Sequence, residues 1–395
     1  MDFLDSWLKG RHNGGTFRKL FPLERSPDGK VRLPDMLPGS FLTDFSSNDY
    51  LAYSIHPSLI KAGREALVRY GSSSGAARLM SGDLTLFHEL EEETARLKKR
   101  EASLVFGSGY LANIGLIPAL VGRGDVIFSD RLNHASIYDG CRLSGARLVR
   151  FRHNDIDHLR SCLEKDRGTG RALIIVESIY SMDGDRCPLR ETVALKEKHS
   201  CMLMVDEAHA TGIYGANGGG VIQEEGLEQN VDVVMGTYGK ALGCYGAYVA
   251  GSRRLKEYLI NRARSFIYST GLPPAVVSSS LAAVRLVGEE PGARRQLLEN
   301  SAFFKECLQK EGLAGEPGSS QIVPVMVGES HQAMAMAEKL KAVGLFVTAV
   351  RPPTVPEGTS RLRFSVTLHH SRDELARAAR VIMDISRQRN LGVSF

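Results

Sequence analysis

Between residues 103 and 250, short apolar runs recur at intervals, separated by longer stretches with helical spacing. The runs at 103–106, 126–129, 172–176, 202–205, 231–235 and 247–250 are rich in Val, Ile, Leu, Met and Ala. Apolar residues fill most of each run, with little of the alternation a half-exposed strand would show, so both faces are expected to be buried. Strands alternating with helices in this way predict an α/β fold with a mostly parallel central sheet. A long helical stretch begins with 278–288 and is broken by Pro291, and near Pro317 the pattern changes. Strands at 322–327, 346–349 and 361–366 then alternate with helices at 333–343 and 372–387, which predicts a smaller α+β domain. Residues 1–44 read as a helix followed by a loop holding Pro22, Pro27, Pro34 and Pro38. The expected division is an N-terminal segment at 1–44, a large domain at 45–285 and a small C-terminal domain at 286–395.

Composition narrows the partners. Lys and Arg total 50 against 45 for Asp and Glu, a net charge of +5. That is too mild for a nucleic-acid binder and suits phosphates or coenzyme A. The six cysteines, Cys141, Cys162, Cys187, Cys201, Cys244 and Cys307, form no CxxC pair, so neither a zinc ribbon nor a dithiol redox site is expected, and no metal is called for. Residues 1–11 carry Asp2 and Asp5 and no apolar core of a signal peptide. No apolar run nears the roughly 18 residues of a membrane helix. A cytoplasmic protein without a membrane partner is the expectation.

In open α/β sheets, ligands gather beyond the carboxyl ends of the strands. Those ends here read Gly107-Ser108-Gly109-Tyr110, Asp130-Arg131-Leu132-Asn133-His134, Glu177-Ser178-Ile179-Tyr180-Ser181, Asp206-Glu207-Ala208-His209 and Gly236-Thr237-Tyr238-Gly239-Lys240. Singly, each has an ordinary explanation: a solvated lysine, a structural histidine, an aspartate capping a helix. Gly107 to Ala112 also satisfies the dinucleotide fingerprint, with Asp130 about 20 residues on, as a nicotinamide site requires. That reading leaves the Asp-x-x-His and Gly-Thr-x-x-Lys segments unused. Pyridoxal 5'-phosphate uses all of them together. It needs an amine for its aldehyde, a carboxylate at its pyridine nitrogen, a phosphate cup and a partner on its ring. Lys240 can supply the amine and Asp206 the carboxylate. Gly109, Tyr110 and Thr237 can bind the phosphate at a helix N-terminus. His134 can lie on the ring, and His209 can bond its phenolic oxygen.

On these residues the chain resembles the α-oxoamine synthases, fold-type-I pyridoxal-phosphate enzymes. The resemblance covers nearly the whole chain. Further marks are Phe45-Ser46-Ser47-Asn48-Asp49-Tyr50-Leu51, Arg78-Leu79-Met80-Ser81-Gly82, His134-Ala135-Ser136 and Ser181-Met182-Asp183-Gly184-Asp185. The segment from Arg351-Pro352-Pro353-Thr354 to Arg361-Leu362-Arg363, and Gly239 before the lysine, resemble the branch serving biotin synthesis. The resemblance implies a homodimer with shared active sites that condenses L-alanine with a pimeloyl thioester, on coenzyme A or an acyl carrier protein, and loses carbon dioxide. It implies Lys240 as the Schiff-base lysine and catalytic base, with His134 and Asp206 completing the catalytic set. Gly109, Tyr110, Ser181, His209 and Thr237 become cofactor contacts, with Thr270 reaching the phosphate from the partner chain. Arg18, Asn48, Thr354 and Arg363, together with His134, become substrate contacts, Asn48 and Arg363 at the amino-acid carboxylate. Relatives commonly carry a hydroxyl residue where Ala77 stands, which bears on amino-acid choice. A sister synthase using glycine, a nicotinamide enzyme and a non-catalytic partner subunit are the alternatives; the last would have lost the lysine.

Overall fold

The fold comes from a computed structural model that describes residues 2–313 and 320–388. Pro317, where the sequence pattern changes, lies outside them. The chain forms two compact units. One comprises Leu51–Ser181 and Arg186–Arg294; the other comprises Met1–Tyr50, Met182–Asp185 and Arg295–Phe395.

The first unit is built on a 7-stranded sheet. Its strands are β1 (Ala102–Phe106), β2 (Val126–Asp130), β3 (Arg147–Phe151), β4 (Ala172–Glu177), β5 (Met202–Asp206), β6 (Val233–Thr237) and β7 (Ala247–Gly251). The spatial order is β1-β7-β6-β5-β4-β2-β3, and only β7 runs antiparallel to its neighbours. The mostly parallel α/β sheet read from the apolar runs is therefore present. β2, β4 and β7 are buried along their whole length, as a sheet covered on both faces demands. β3 was not among the predicted strands. It is an edge strand whose exposed Arg147 and Arg150 interrupt the apolar run, and charge of this kind discourages edge-to-edge pairing. The predicted run at 231–235 starts two residues late in the structure, because Asp232 uses its carboxylate to hold the Leu203 N–H rather than entering the ladder.

One face of the sheet packs Leu104, Phe106, Ile127, Leu173, Met204, Val233 and Val249 against Leu116 and Ile117 of helix Gly109–Leu120 and Leu259 of helix Arg253–Arg262. Helix Gly109–Leu120 begins where Ser108 accepts from the Leu111 N–H at 3.2 Å, a side-chain N-cap. Helix Ala135–Ser144 is capped by His134, whose Nδ1 accepts from the Ser136 N–H. The long helical stretch predicted from 278 begins a few residues earlier, at Pro274, and runs to Glu289, with a proline in its first turn where the missing N–H costs nothing; it breaks just before Pro291, as expected. A separate helix, Pro291–Lys310, follows.

The second unit contains a 3-stranded antiparallel sheet of Ile322–Gly328, Ser360–Ser365 and Ala349–Val350, with Ser360–Ser365 in the middle. The single strand expected at 346–349 is instead two. Leu345–Phe346 pairs in parallel with Thr43–Asp44, while Ala349–Val350 pairs with Ser360–Ser365. Phe45 packs against Phe304, Phe364 and His370, tying the N-terminal segment into this unit. Helix Arg372–Arg387 carries the Ser371–Glu374 capping box and buries Leu375, Ala378, Ala379, Ile382 and Ile385 on one stripe.

Candidate active site

The carboxyl ends of β4, β5 and β6 bring the chemistry of the first unit together. Asp206 and Glu177 end adjacent parallel strands in register, and both are buried. Asp206 is held at both oxygens: Oδ1 accepts from the Ala208 N–H at 2.9 Å and Oδ2 from Asn113 Nδ2 at 3.3 Å. Glu177 accepts from the His134 N–H, so one acid sets the backbone of the histidine. Burial, then the neighbouring charge of Asp206, pushes the Glu177 carboxyl well above the usual carboxylate range.

His134 remains accessible to solvent on one side, but its ring sits among Asp206, Lys240 and Asp139. Lost hydration pushes its pKa down, against the opposing pull of Asp206. A neutral imidazole with an open face results. His209 is buried, and its Nε2 lies 2.7 Å from Lys240 Nζ. The Asp-x-x-His spacing works because the chain turns tightly after β5: the Ala210 and Thr211 N–H groups both bond to the Glu207 carbonyl. Glu207 anchors that turn. Its side chain is fully buried, pairs with Lys98 at 2.5 Å and accepts from the Ile222 N–H. Gly220 makes room for it at φ 108; a Cβ there would meet the Glu207 carboxylate. Thr237 gives its hydroxyl proton to the Gly246 carbonyl at 2.7 Å and accepts from the Gly239 N–H at 3.0 Å, shaping the turn that carries Lys240.

Gly109 and Tyr110 occupy the first turn of their helix, where N–H groups have no intrahelical acceptor. The Tyr110 hydroxyl bonds Asp139 at 2.5 Å. Ser181 is buried. Thr270 is exposed and bridges to Ala77, beside a cleft lined by Arg78, Gly107 and Ser269. Asp130 is spent internally: it accepts from the Leu132 and Asn154 N–H groups and pairs with His153 at 3.0 Å. An aspartate so occupied has little left for a ribose hydroxyl, which counts against the nicotinamide reading.

The remaining predicted residues form two groups within the second unit. Arg363 lies on the buried middle strand and donates to Asn48 Oδ1 at 3.1 Å, Ser365 Oγ at 2.7 Å and the Tyr50 hydroxyl at 3.1 Å. Arg18 donates to Thr354 Oγ1 at 3.2 Å on the surface. Arg351 donates to the Gly15 and Phe17 carbonyls, fastening the N-terminal segment to the 351–354 turn. Sequence reading gave no role to Asn113, Ser136, Glu177 or Tyr50. Glu177 ends a predicted strand, so its position could have pointed to it; Asn113 is joined to its partners only across 23 and 93 residues, and no local spacing marks it.

The donor set fits pyridoxal phosphate. A buried carboxylate with both oxygens held, an accessible imidazole, an amine against a histidine and the first-turn N–H groups of Gly109 and Tyr110 are what that group requires.

The sequence model for class I and II aminotransferases matches residues 41–382. The chain belongs to that family. Its cofactor is pyridoxal 5'-phosphate. The 8-amino-7-oxononanoate synthase of Geobacter sulfurreducens is 48% identical over 376 residues, covering 95% of each chain. That of Geobacter metallireducens is 50% identical over 343 residues, covering 86% of this chain and 88% of the relative. Among solved structures, serine palmitoyltransferase from S. paucimobilis with a bound PLP–myriocin aldimine superposes with a TM-score of 0.90. It is 31% identical and the match covers 98% of this chain and 97% of that one. Within the aminotransferase family the chain thus groups with the 8-amino-7-oxononanoate synthases.

Proposed function

We propose that this chain condenses L-alanine with a pimeloyl thioester, releasing carbon dioxide and free thiol and giving 8-amino-7-oxononanoate for biotin synthesis. The observation that carries the reading is the amine of Lys240 set 2.7 Å from His209, on the turn following β6, with Asp206 ending the adjacent strand. When bound, the cofactor withdraws electrons from the α-carbon of the amino acid. Lys240 would hold the cofactor through Nζ, and the same amine is the group that would take and return the α-proton of alanine. A lysine suits this because its pKa falls readily in a site of low dielectric. Asp206 would hold the pyridine nitrogen, His134 would support the ring and orient the substrate, and His209 would bond the phenolic oxygen. Gly109, Tyr110, Ser181 and Thr237 cradle the phosphate and ring, and Thr270 serves the site of the partner chain in a homodimer with shared active sites. Asn48 and Arg363 receive the amino-acid carboxylate; Arg18 and Thr354 meet the far end of the acyl chain or its carrier, coenzyme A or an acyl carrier protein. No helix among the described residues is long and apolar enough to cross a membrane.

The test is chemical. Purified protein should carry a visible absorbance band that borohydride removes, with the label mapping to Lys240. Carbon dioxide release should require alanine and pimeloyl thioester together. A colourless protein, or release that is independent of the thioester, would overturn the proposal.

A further inference from the structure

Asp206 and His134 do not touch each other, yet two buried side chains connect them. Asn113 Nδ2 lies 3.3 Å from Asp206 Oδ2 and 2.9 Å from Ser136 Oγ. Ser136 Oγ lies 2.8 Å from His134 Nδ1. Asn113 is 0% exposed and Ser136 1%, so neither bond competes with water.

Donor counting gives this chain one direction. Only an amide nitrogen can face an ionised carboxylate, so Asn113 presents its NH2 group to Asp206, and its second proton goes to Ser136. Ser136 Oγ thereby becomes an acceptor from Asn113, leaving its own proton for His134 Nδ1. That nitrogen also faces the Ser136 N–H at 3.2 Å, so it holds a lone pair and the ring proton sits on Nε2. Packing makes the contact possible. Gly140 lies so close to the neighbouring helix that a Cβ would come within 2.8 Å of the Asn113 carbonyl oxygen, and this close approach lets Ser136 reach Asn113. The arrangement also carries a cost. Asn113 Oδ1 is buried with no partner among the described residues. A leucine of the same branched shape would remove that orphaned oxygen but would leave Asp206 Oδ2 and Ser136 Oγ without their donor.

We propose that Asn113 and Ser136 are positioning residues, a polarised relay that fixes the Asp206 carboxylate and the His134 imidazole in a single mutual orientation. The inference rests on the cofactor roles proposed for Asp206 and His134. Through the relay, the carboxylate that meets the pyridine nitrogen and the imidazole that covers the ring are set as one unit before the cofactor arrives. Preorganisation of this kind spares the site the reordering that binding would otherwise require.

The test uses the holoenzyme labelled with 15N-histidine, its His134 resonances assigned by their loss in His134→Asn. Two variants are compared, Asn113→Leu and Ser136→Ala. Both should weaken cofactor affinity, measured by equilibrium dialysis, by roughly tenfold to a hundredfold, the worth of a hydrogen bond to a charged group. Asn113→Leu removes the orphaned oxygen but leaves Asp206 Oδ2 without this donor, so its melting temperature should fall somewhat below that of wild type while the variant stays folded. It should also move the His134 Nδ1 resonance toward that of an unbonded imidazole nitrogen, although Asn113 makes no contact with His134. An unmoved Nδ1 resonance in Asn113→Leu, with Ser136→Ala as the control that must move it, overturns the relay whatever happens to the cofactor. A moved resonance with unchanged cofactor affinity upholds the relay and counts instead against the cofactor roles. Should Asn113→Leu fail to fold, Ser136→Ala, the loss of one oxygen, carries both measurements.

Discussion

Replacing Lys98 by methionine is expected to destabilise the first unit more than any exposed ion-pair deletion. Lys98 Nζ meets Glu207 Oε2 at 2.5 Å, with side-chain exposures of 1% and 0%. The ammonium also donates to the Gly219 carbonyl and lies 3.3 Å from Thr211 Oγ1. Methionine fills the volume but leaves Glu207 Oε2 and the Gly219 carbonyl without this donor, while Thr211 Oγ1 keeps the Tyr248 hydroxyl. Glu207 would keep one strong donor, the Ile222 N–H at 2.9 Å, and would hold an uncompensated charge in a dry interior. Breaking such a pair from one side costs roughly 3–5 kcal/mol, because the remaining charge has lost its partner and cannot regain water. For a unit of this size each kcal/mol is worth about 2–4 °C, so the melting temperature should fall by roughly 6–20 °C. Calorimetry on the holoenzyme measures this. The double variant Lys98→Met with Glu207→Gln should recover most of the loss, since a neutral amide there needs no counter-ion. The effect should reach the site as well: Glu207 anchors the turn that sets His209 against Lys240, so the single variant should also bind cofactor less tightly. A fall of under about 3 °C, or a double variant no better than the single, would refute the argument that the pair is an isolated buried couple.

Lys240→Ala should abolish turnover while leaving far-UV dichroism and melting behaviour near those of wild type, because the side chain is only half-buried; wild-type turnover would remove it from the mechanism. Arg363→Lys should raise KM for alanine by roughly tenfold or more with a smaller change in kcat, as a point charge replaces a fork that reaches Asn48 and Tyr50 at once. An unchanged KM would move the carboxylate site elsewhere. Burial holds the His370 imidazole down at about 4, with its Nε2 bonded to the Asp44 carbonyl. The unfolded chain therefore binds the extra proton first as pH falls, so this contribution is complete above about pH 6.5 and is lost progressively down to about pH 4. It amounts to roughly 3 kcal/mol, and denaturant midpoints for wild type and His370→Gln should converge over that window; parallel pH curves would contradict it. Pimeloyl thioester should give a higher kcat/KM than an uncharged acyl thioester of equal length, because a site built for a polar end group rejects analogues lacking it. Preference for octanoyl thioester would defeat the choice of acyl substrate but leave the condensation chemistry standing.

Much of this protein is legible in its one-dimensional pattern. Strands buried on both faces must be apolar throughout, so β1, β2, β4, β5, β6 and β7 stand out as short apolar runs, and the residues just past them, Glu177, Asp206, His209 and Lys240, are where such a sheet presents its chemistry. The capping box at Ser371 and the stripe through Leu375, Ala378 and Ile382 define the last helix for the same local reason. What the pattern could not supply is everything that depends on which element lies beside which. β3 is masked by the arginines its edge position allows, and the backbone at 345–350 changes sheets because Thr43–Asp44 and Ser360–Ser365 draw it in two directions. Asp130 had the right spacing for a ribose, and only the approach of His153 and Asn154 shows it to be spent on the fold. Asn113 and Ser136 are 23 residues apart, and Asn113 and Asp206 are 93 apart, so no local spacing announces them as one chain. Hydrogen-bond partners are chosen by distance in space, and at those separations only the packed sheet and its helices decide what distance in space will be.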